Sequence, residues 1–283
     1  RALMSSLRQY RMVSPLYIEE VHVIARKDSG LWQLSDLNGR RVSFGSPSSG
    51  HHITASVLFR NLGVSPVKAS IEKTRDAIDA VLNGSISAAI YVAGAPSGAL
   101  NDHPRKNELT LLDIRGNPNS QSYSPVGISQ QKYSWLDRTI TTLGVKALLV
   151  TTDYTGPICS AIGRLSCSIR ENNEWLQTWG HPKWSEVSDS AFAAQQVKGW
   201  PVSDCVSDYI VRGGSCSLNP AENNSWTSES IRALNRAVVP AVASTVEPNS
   251  PLPQVCLASS SEYNWIACGA YMNSEAVFRD KVE

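Results

Sequence analysis

Along the first half of the chain, apolar and β-branched residues fall into short runs separated by turn residues, and the runs alternate between two periods. Leu3, Leu7 and Tyr10 recur at helical spacing, and that pattern leads to Ser14-Pro15, where proline disfavours continuation. EVHVIAR (20–26) is β-branched and predicts a buried strand. LWQLSDLNGRRVSFG then predicts a helical turn at 34–37, a tight turn at Asn38-Gly39 and a strand over 41–44. In HHITASVLFRNLG, Ile53, Val57, Leu58 and Leu62 mark one helix face and Gly63 terminates it. Further strands are expected at 67–71, 86–93 and 109–114. A helix over 74–84 turns Ile78, Val81 and Leu82 inward and ends at Gly84. Strands alternating with short helices argue for a largely parallel sheet covered on both faces.

From Thr139 the pattern changes. TITTLGVKALLVTTD reads as a long extended segment, and ICSAIGRLSCSIRENNEWLQ as helix. Trp175, Trp179, Trp184 and Trp200 cluster in one span, where core and interface packing is the expected role of so large a side chain. After Gly214 the chain turns to Ser, Asn and Pro around one plausible helix, 229–243.

Charge adds little. The 26 lysines and arginines nearly cancel the 25 aspartates and glutamates, which gives no electrostatic case for nucleic acid or a membrane surface. Any ligand charge must be met locally. The cysteines matter more: Cys159, Cys167, Cys205, Cys216, Cys256 and Cys268 all lie in the second half. Their even count suits disulfides, and so an oxidising compartment. The simplest pairing is nearest-neighbour (159–167, 205–216, 256–268). A zinc site is disfavoured because no C-x-x-C pair occurs, so no metal or other cofactor is expected. No signal-peptide pattern is read in the sequence, and no apolar run in it is long enough to span a bilayer. The start at Arg1-Ala2-Leu3, without an initiator methionine, reads as a fragment or processed product.

Candidate chemistry centres on two loops. In SPSSG (46–50), between a strand and a helix, Ser46, Ser48 and Ser49 offer hydroxyls and Gly50 allows close backbone approach. The helix N-terminus there favours an anion, with His51 and His52 adding charge if protonated. The plain alternative is a serine-capped helix. YVAGAPSGA (91–99) is the second loop, and both lie beyond the carboxyl ends of strands, where open α/β sheets bind ligands. No G-x-S-x-G or H-E-x-x-H occurs, Ser48 or Ser49 beside His51 is too local for a triad, and Glu19/Glu20 read as a solvated strand start. No catalytic residue is assigned and the protein is not expected to be an enzyme.

The run SPLYIEEVHVIARKDSGLWQLSDLNGRRVSFGSPSSGHHITASVLFRNLGV resembles the TAXI family of TRAP-transporter solute-binding proteins. DAIDAVLNGSISAAIYVAGAPSGAL is similar to the family's helix, strand and Val-Ala-Gly-x-Pro turn, and TITTLGVKALLVTT to its extended return segment. WSEVSDSAFAAQQVKGWPVSDCVSDYIVRGG is a fainter match to its terminal helices. The resemblance implies an α/β fold of the type II periplasmic-binding-protein kind, two lobes of mixed sheet with flanking helices, lobe one incomplete. Residues 1–26 would be a lobe-one helix and first crossing strand, and 27–138 lobe two. Residues 139–214 would be the second crossing strand and the return helices, leaving 215–283 as a cysteine-containing extension of unknown role.

The implied function is extracytoplasmic, or periplasmic, capture of a small organic anion between the lobes for transporter subunits in the membrane. The implied ligand contacts are Tyr17, Ser46, Ser48, Ser49, Gly50, His51, Tyr91, Gly94, Ala95, Pro96 and Tyr133. This chain departs from the family at Ser48-Ser49-Gly50-His51 (usually Gly-Ser-Gly-Thr), at Tyr133-Ser134-Trp135-Leu136 (Tyr-Pro-Gly-Gln) and at Ser203-Asp204-Cys205-Val206 (His-Pro-Gly-Ala). A second reading keeps the fold but re-uses it for ligand sensing or for a protein partner, contacted through the extension.

Overall fold

The computed structural model describes residues 10–47, 49–71, 73–116, 122–187 and 200–211. They form seven strands: β1 (Tyr10–Arg26), β2 (Arg41–Ser43), β3 (Val67–Ala69), β4 (Ala88–Ala93), β5 (Leu109–Leu111), β6 (Tyr123–Ile128) and β7 (Ile140–Thr152). The helices are α1 (Gly50–Asn61), α2 (Thr74–Leu82), α3 (Gly98–Asn101), α4 (Gly156–Glu171), α5 (Asn173–Trp179) and α6 (Asp204–Val211). Two compact units result. One holds residues 16–147; the described part of the other is 10–15, 148–187 and 200–211.

The sheet order is β3-β2-β4-β1-β7-β6, with β5 paired to β1. β2 runs parallel to β3 and β4, whereas β1 is antiparallel to β4 and β6 to β7, so the sheet is mixed. β5 continues as a wedge between β1 and β7: Leu112 N–H donates to Val23 O and Ile114 N–H to Thr141 O. β6 was not foreseen, because Pro125 and Gly127 interrupt YSPVGI. It forms at the end of the sheet order, the position where a strand tolerates proline.

In the 16–147 unit the sheet is covered on both faces. Ala89, Tyr91 and Ala93 of β4 join one core with Ile78, Val81 and Leu82 of α2, while Ala88, Ile90 and Val92 join the other with Ala55, Leu58 and Phe59 of α1. Burial on both faces explains why β4 reads as a continuous apolar run. Each large aliphatic side chain buried there stabilises the fold by roughly 1.5–3 kcal/mol relative to exposure.

α1 and α2 stop where expected, and by one device. Gly63 and Gly84 adopt φ of 69° and 74°. Gly63 N–H closes on Arg60 O and Val64 N–H on Phe59 O, and Gly84 and Ser85 repeat the pattern on Val81 and Ala80. These are Schellman closures, which need the left-handed residue that glycine supplies without strain. The inward arc of α1 is Thr54, Ala55, Leu58 and Phe59, rotated from the expected face, and Ile53 and Val57 are half-buried.

Several expectations are corrected. The helical spacing that runs through Tyr10 to Ser14 gives way to strand: β1 starts at Tyr10, and Met12 pairs in parallel with Val202, donating to Pro201 O and accepting from Ser203 N–H. Strand pairing overrides local periodicity here. Glu19 and Glu20, read as solvated, are 1% and 5% exposed because β1 lies inside the sheet. Trp184 is buried as expected, but Trp175 and Trp179 are 59% and 74% exposed. Two of the three nearest-neighbour disulfides fail as well. Cys159, at the start of α4, is bonded to Cys205, at the start of α6, and Cys167 is itself disulfide-bonded. The pairings 159–167 and 205–216 are therefore excluded; α4 and α6 pack side by side, so spatial neighbours win over sequence neighbours. Residues 1–9, Ser48, Cys216, Cys256, Cys268 and the extension 215–283 lie outside the described residues.

Candidate functional site

β2 and β4 stay paired only as far as Ser43 and Ala89. Beyond that point β2 turns away through Phe44-Gly45 and the edge of β4 must find other partners. α1 supplies one: His51, 3% exposed, accepts the Val92 backbone N–H through Nδ1 at 3.1 Å. Its ring lies 5.0 Å from that of Tyr91, centroid to centroid. A ring nitrogen that accepts from an amide carries no proton, so His51 is the Nε2–H tautomer, and protonation would set two donors against each other. A positive charge at His51 is thus opposed by its own hydrogen bond.

The SPSSG turn is a serine-capped helix start. Ser49 Oγ donates to Ser46 O at 2.7 Å and accepts the His52 N–H at 3.3 Å. Such a cap contributes about 1 kcal/mol. Its proton is committed to a carbonyl, which makes Ser49 a structural hydroxyl and not an activated nucleophile. The first-turn amides of α1 still place the positive end of the helix at the carboxyl ends of β2 and β4.

The second loop, 94–97, leaves β4 at the same end and is tied from beneath. Ala95 N–H donates to Glu20 Oε2 at 2.8 Å, Ser97 N–H to the Tyr133 hydroxyl at 2.7 Å, and Ser97 Oγ shares a 3.0 Å bond with the Tyr91 hydroxyl. The Ala95-Pro96 peptide is cis. Tyr133 is fully buried and also meets His22 Nε2 at 3.0 Å. Burial pushes its phenol strongly up, and the Ser97 N–H opposes this only in part, so it stays a neutral hydroxyl.

The structure therefore brings Ser49, Gly50, His51 and Tyr91 to one end of the sheet, beside Gly94, Ala95 and Pro96. Ser46 is half-buried at the turn. Tyr17 is buried on β1, on the face opposite Glu20 by strand alternation. Tyr133 lies below the loop, not at its surface. Glu20, His22 and Ser97 were missed by sequence reasoning; for Glu20 and His22 the available signal was polar residues inside a β-branched strand, and for Ser97, in the loop after β4, there was none.

A second polar centre lies in the same unit. Asp113, nearly buried, accepts from Arg138 (2.9 Å), Arg115 (3.1 Å) and the Thr141 N–H (3.0 Å). Burial raises its pKa, but these three donors together outweigh burial and hold it below the usual carboxylate value. Asp36 is also lowered, first by the Trp32 N–H and further by the Gln33 N–H, at the start of the 3-10 turn Leu34–Leu37. Among the described residues, no group of three His, Cys, Asp or Glu is placed to hold a metal ion, and no helix is long and apolar enough to cross a membrane.

Solved structures similar to this chain include Tv2483 bound to L-arginine (12% identity, 62% of this chain, TM-score 0.39). Others are the substrate-binding protein of an amino acid ABC transporter (11%, 62%, 0.36) and the arginine-, lysine-, histidine-binding protein ArtJ from Geobacillus stearothermophilus (12%, 66%, 0.41). The chain covers 60%, 65% and 69% of their respective lengths, less than two thirds of the first two. The model of the NMT1-like family matches residues 4–196, more than half of the sequence. On that match, whose range includes β1 to β7, the chain belongs to the NMT1-like family.

Proposed function

We propose that this chain is the solute-binding component of a TRAP-type uptake system, working outside the cytoplasm and delivering a small organic anion, of the amino-acid or carboxylate class, to transporter subunits in a membrane. The supporting observation is the convergence of the α1 N-terminus and the 94–97 loop at the carboxyl ends of parallel β2 and β4, in a member of the NMT1-like family. A helix N-terminus at that position stabilises a carboxylate without a cationic side chain, which agrees with the near-neutral charge of the chain. The disulfide-bonded Cys159, Cys167 and Cys205 fit an oxidising compartment. The role is binding and not turnover: Ser49 is committed as a cap and His51 Nδ1 to a backbone amide, so neither acts on the other.

The test is a thermal-shift screen of the full chain against amino acids and dicarboxylates. One class should raise Tm by several degrees, the linkage expected at ligand concentrations about 100-fold above Kd. A flat response across both classes would contradict the reading.

A further inference from the structure

We propose that His22 and Tyr133 are positioning residues for the 94–97 loop: they touch no solute, and they hold the loop backbone in its binding form from beneath. The proposal rests on the solute-binding reading for its purpose, and on hydrogen-bond geometry for its mechanism.

His22 Nδ1 lies 2.9 Å from the backbone oxygen of Glu20. A carbonyl only accepts, so Nδ1 carries the proton, and in the neutral ring Nε2 is then the acceptor. The atom facing Nε2 is the Tyr133 hydroxyl at 3.0 Å, which must donate to it. The same hydroxyl oxygen accepts the Ser97 N–H at 2.7 Å. Proton direction is thereby fixed along the whole line: Ser97 N–H to Tyr133, Tyr133 O–H to His22, His22 Nδ1–H to Glu20 O. Every member is buried; His22 and Tyr133 are both 0% exposed. One residue of the same strand contributes twice, since the Glu20 side chain also takes the Ala95 N–H at 2.8 Å.

This wiring uses the Ala95 and Ser97 amides internally, so they are not anion donors. It also joins residues far apart in sequence, from β1, from the turn at 133 and from the end of β4. Rings fill the space around the line: His22 sits 5.7 Å from Tyr133 and 5.8 Å from Tyr91, and Tyr133 sits 5.1 Å from Trp135. Packing that dense leaves the hydroxyl one arrangement in which all partners are satisfied.

Amide hydrogen exchange of the full chain tests this, with Tyr133→Phe against Tyr123→Phe as the control. Tyr123 also loses a hydroxyl contact, half-buried, to Thr54 Oγ1 at 3.3 Å, but on α1. Tyr133→Phe should speed exchange at Ser97 by about tenfold while Ile90 and Val92 stay within the change set by global stability, and weaken the best stabilising solute of the screen by a similar factor. Tyr123→Phe should do neither. Exchange that rises uniformly, or an unchanged Ser97 rate, overturns the proposal. If Tyr133→Phe does not fold, the imidazole nitrogen shifts of unsubstituted protein decide: a protonated Nδ1 and bare Nε2 at His22 support it, and the opposite tautomer overturns it. Should no solute bind the unsubstituted chain, the uptake reading fails, while the exchange and tautomer arms still judge the loop.

Discussion

His51 Nδ1 takes the Val92 backbone N–H at 3.1 Å, filling with a side chain the place on β4 that β2 vacates after Ser43. One imidazole thus completes the ladder and fixes where α1 begins. Removing the acceptor strands a buried amide, which costs about 1–3 kcal/mol. His51→Ala should lower stability by that amount in urea unfolding, more than His52→Ala at the half-buried neighbour. Equal losses for both would show that the bond contributes nothing.

β7 passes close to β1 at Gly144. A Cβ there would collide with Ile18 Cγ2 and lie 3.1 Å from Val126 Cγ1, so strands on both sides would have to move. Gly144→Ala should destabilise by about 1–3 kcal/mol, as overpacking does, despite the better strand propensity of alanine. Gly39→Ala, at φ 68° with open space around it, separates conformational strain from collision.

Asp113 and Asp36 link stability to pH. Both have folded pKa values below their unfolded ones, near 3.9 for aspartate. For a depressed acid the contribution is fully present above the unfolded value and is lost as pH falls through the folded one. Urea midpoints should therefore be level from pH 7 to about 5 and fall steeply below about 4. Asp113→Asn should cost about 1–3 kcal/mol at pH 7 by weakening the Arg138 and Thr141 contacts, with the gap to the unsubstituted protein closing towards pH 2. A gap independent of pH would assign the loss to packing.

The Cys159–Cys205 bridge spans 46 residues and ties α4 to α6. Loop closure of that size contributes on the order of 3–4 kcal/mol. A Cys159→Ser/Cys205→Ser double variant should lose stability in the unit that contains it, and non-reducing peptide mapping should recover the 159–205 pair. A recovered 159–167 peptide would contradict the arrangement.

Much of this architecture was legible because local and global preferences agree. Ile78, Val81 and Leu82 before Gly84, and Leu58 before Gly63, name a helix face and its stop without tertiary information. The same holds for Ala88–Ala93, whose unbroken apolar run fits a strand buried on both sides. What stayed hidden depends on partners distant in sequence. Met12 looks helical until Val202 pairs with it, Glu20 looks solvated until Ala95 donates to it, and Cys159 looks closest to Cys167 until α6 is placed against α4. Tyr133 is the instructive case: the family pattern points to the position, but only its two hydrogen bonds show a hydroxyl held under the loop.

The most direct test of solute capture is to titrate the full chain with the best stabiliser of the thermal-shift screen while following backbone amide shifts. Solute capture at this end of the sheet should give saturable changes concentrated at 45–52 and 94–97, with Gly50 and His51 among the largest. Saturable binding that leaves both loops unperturbed, or no saturable binding at all, would contradict it.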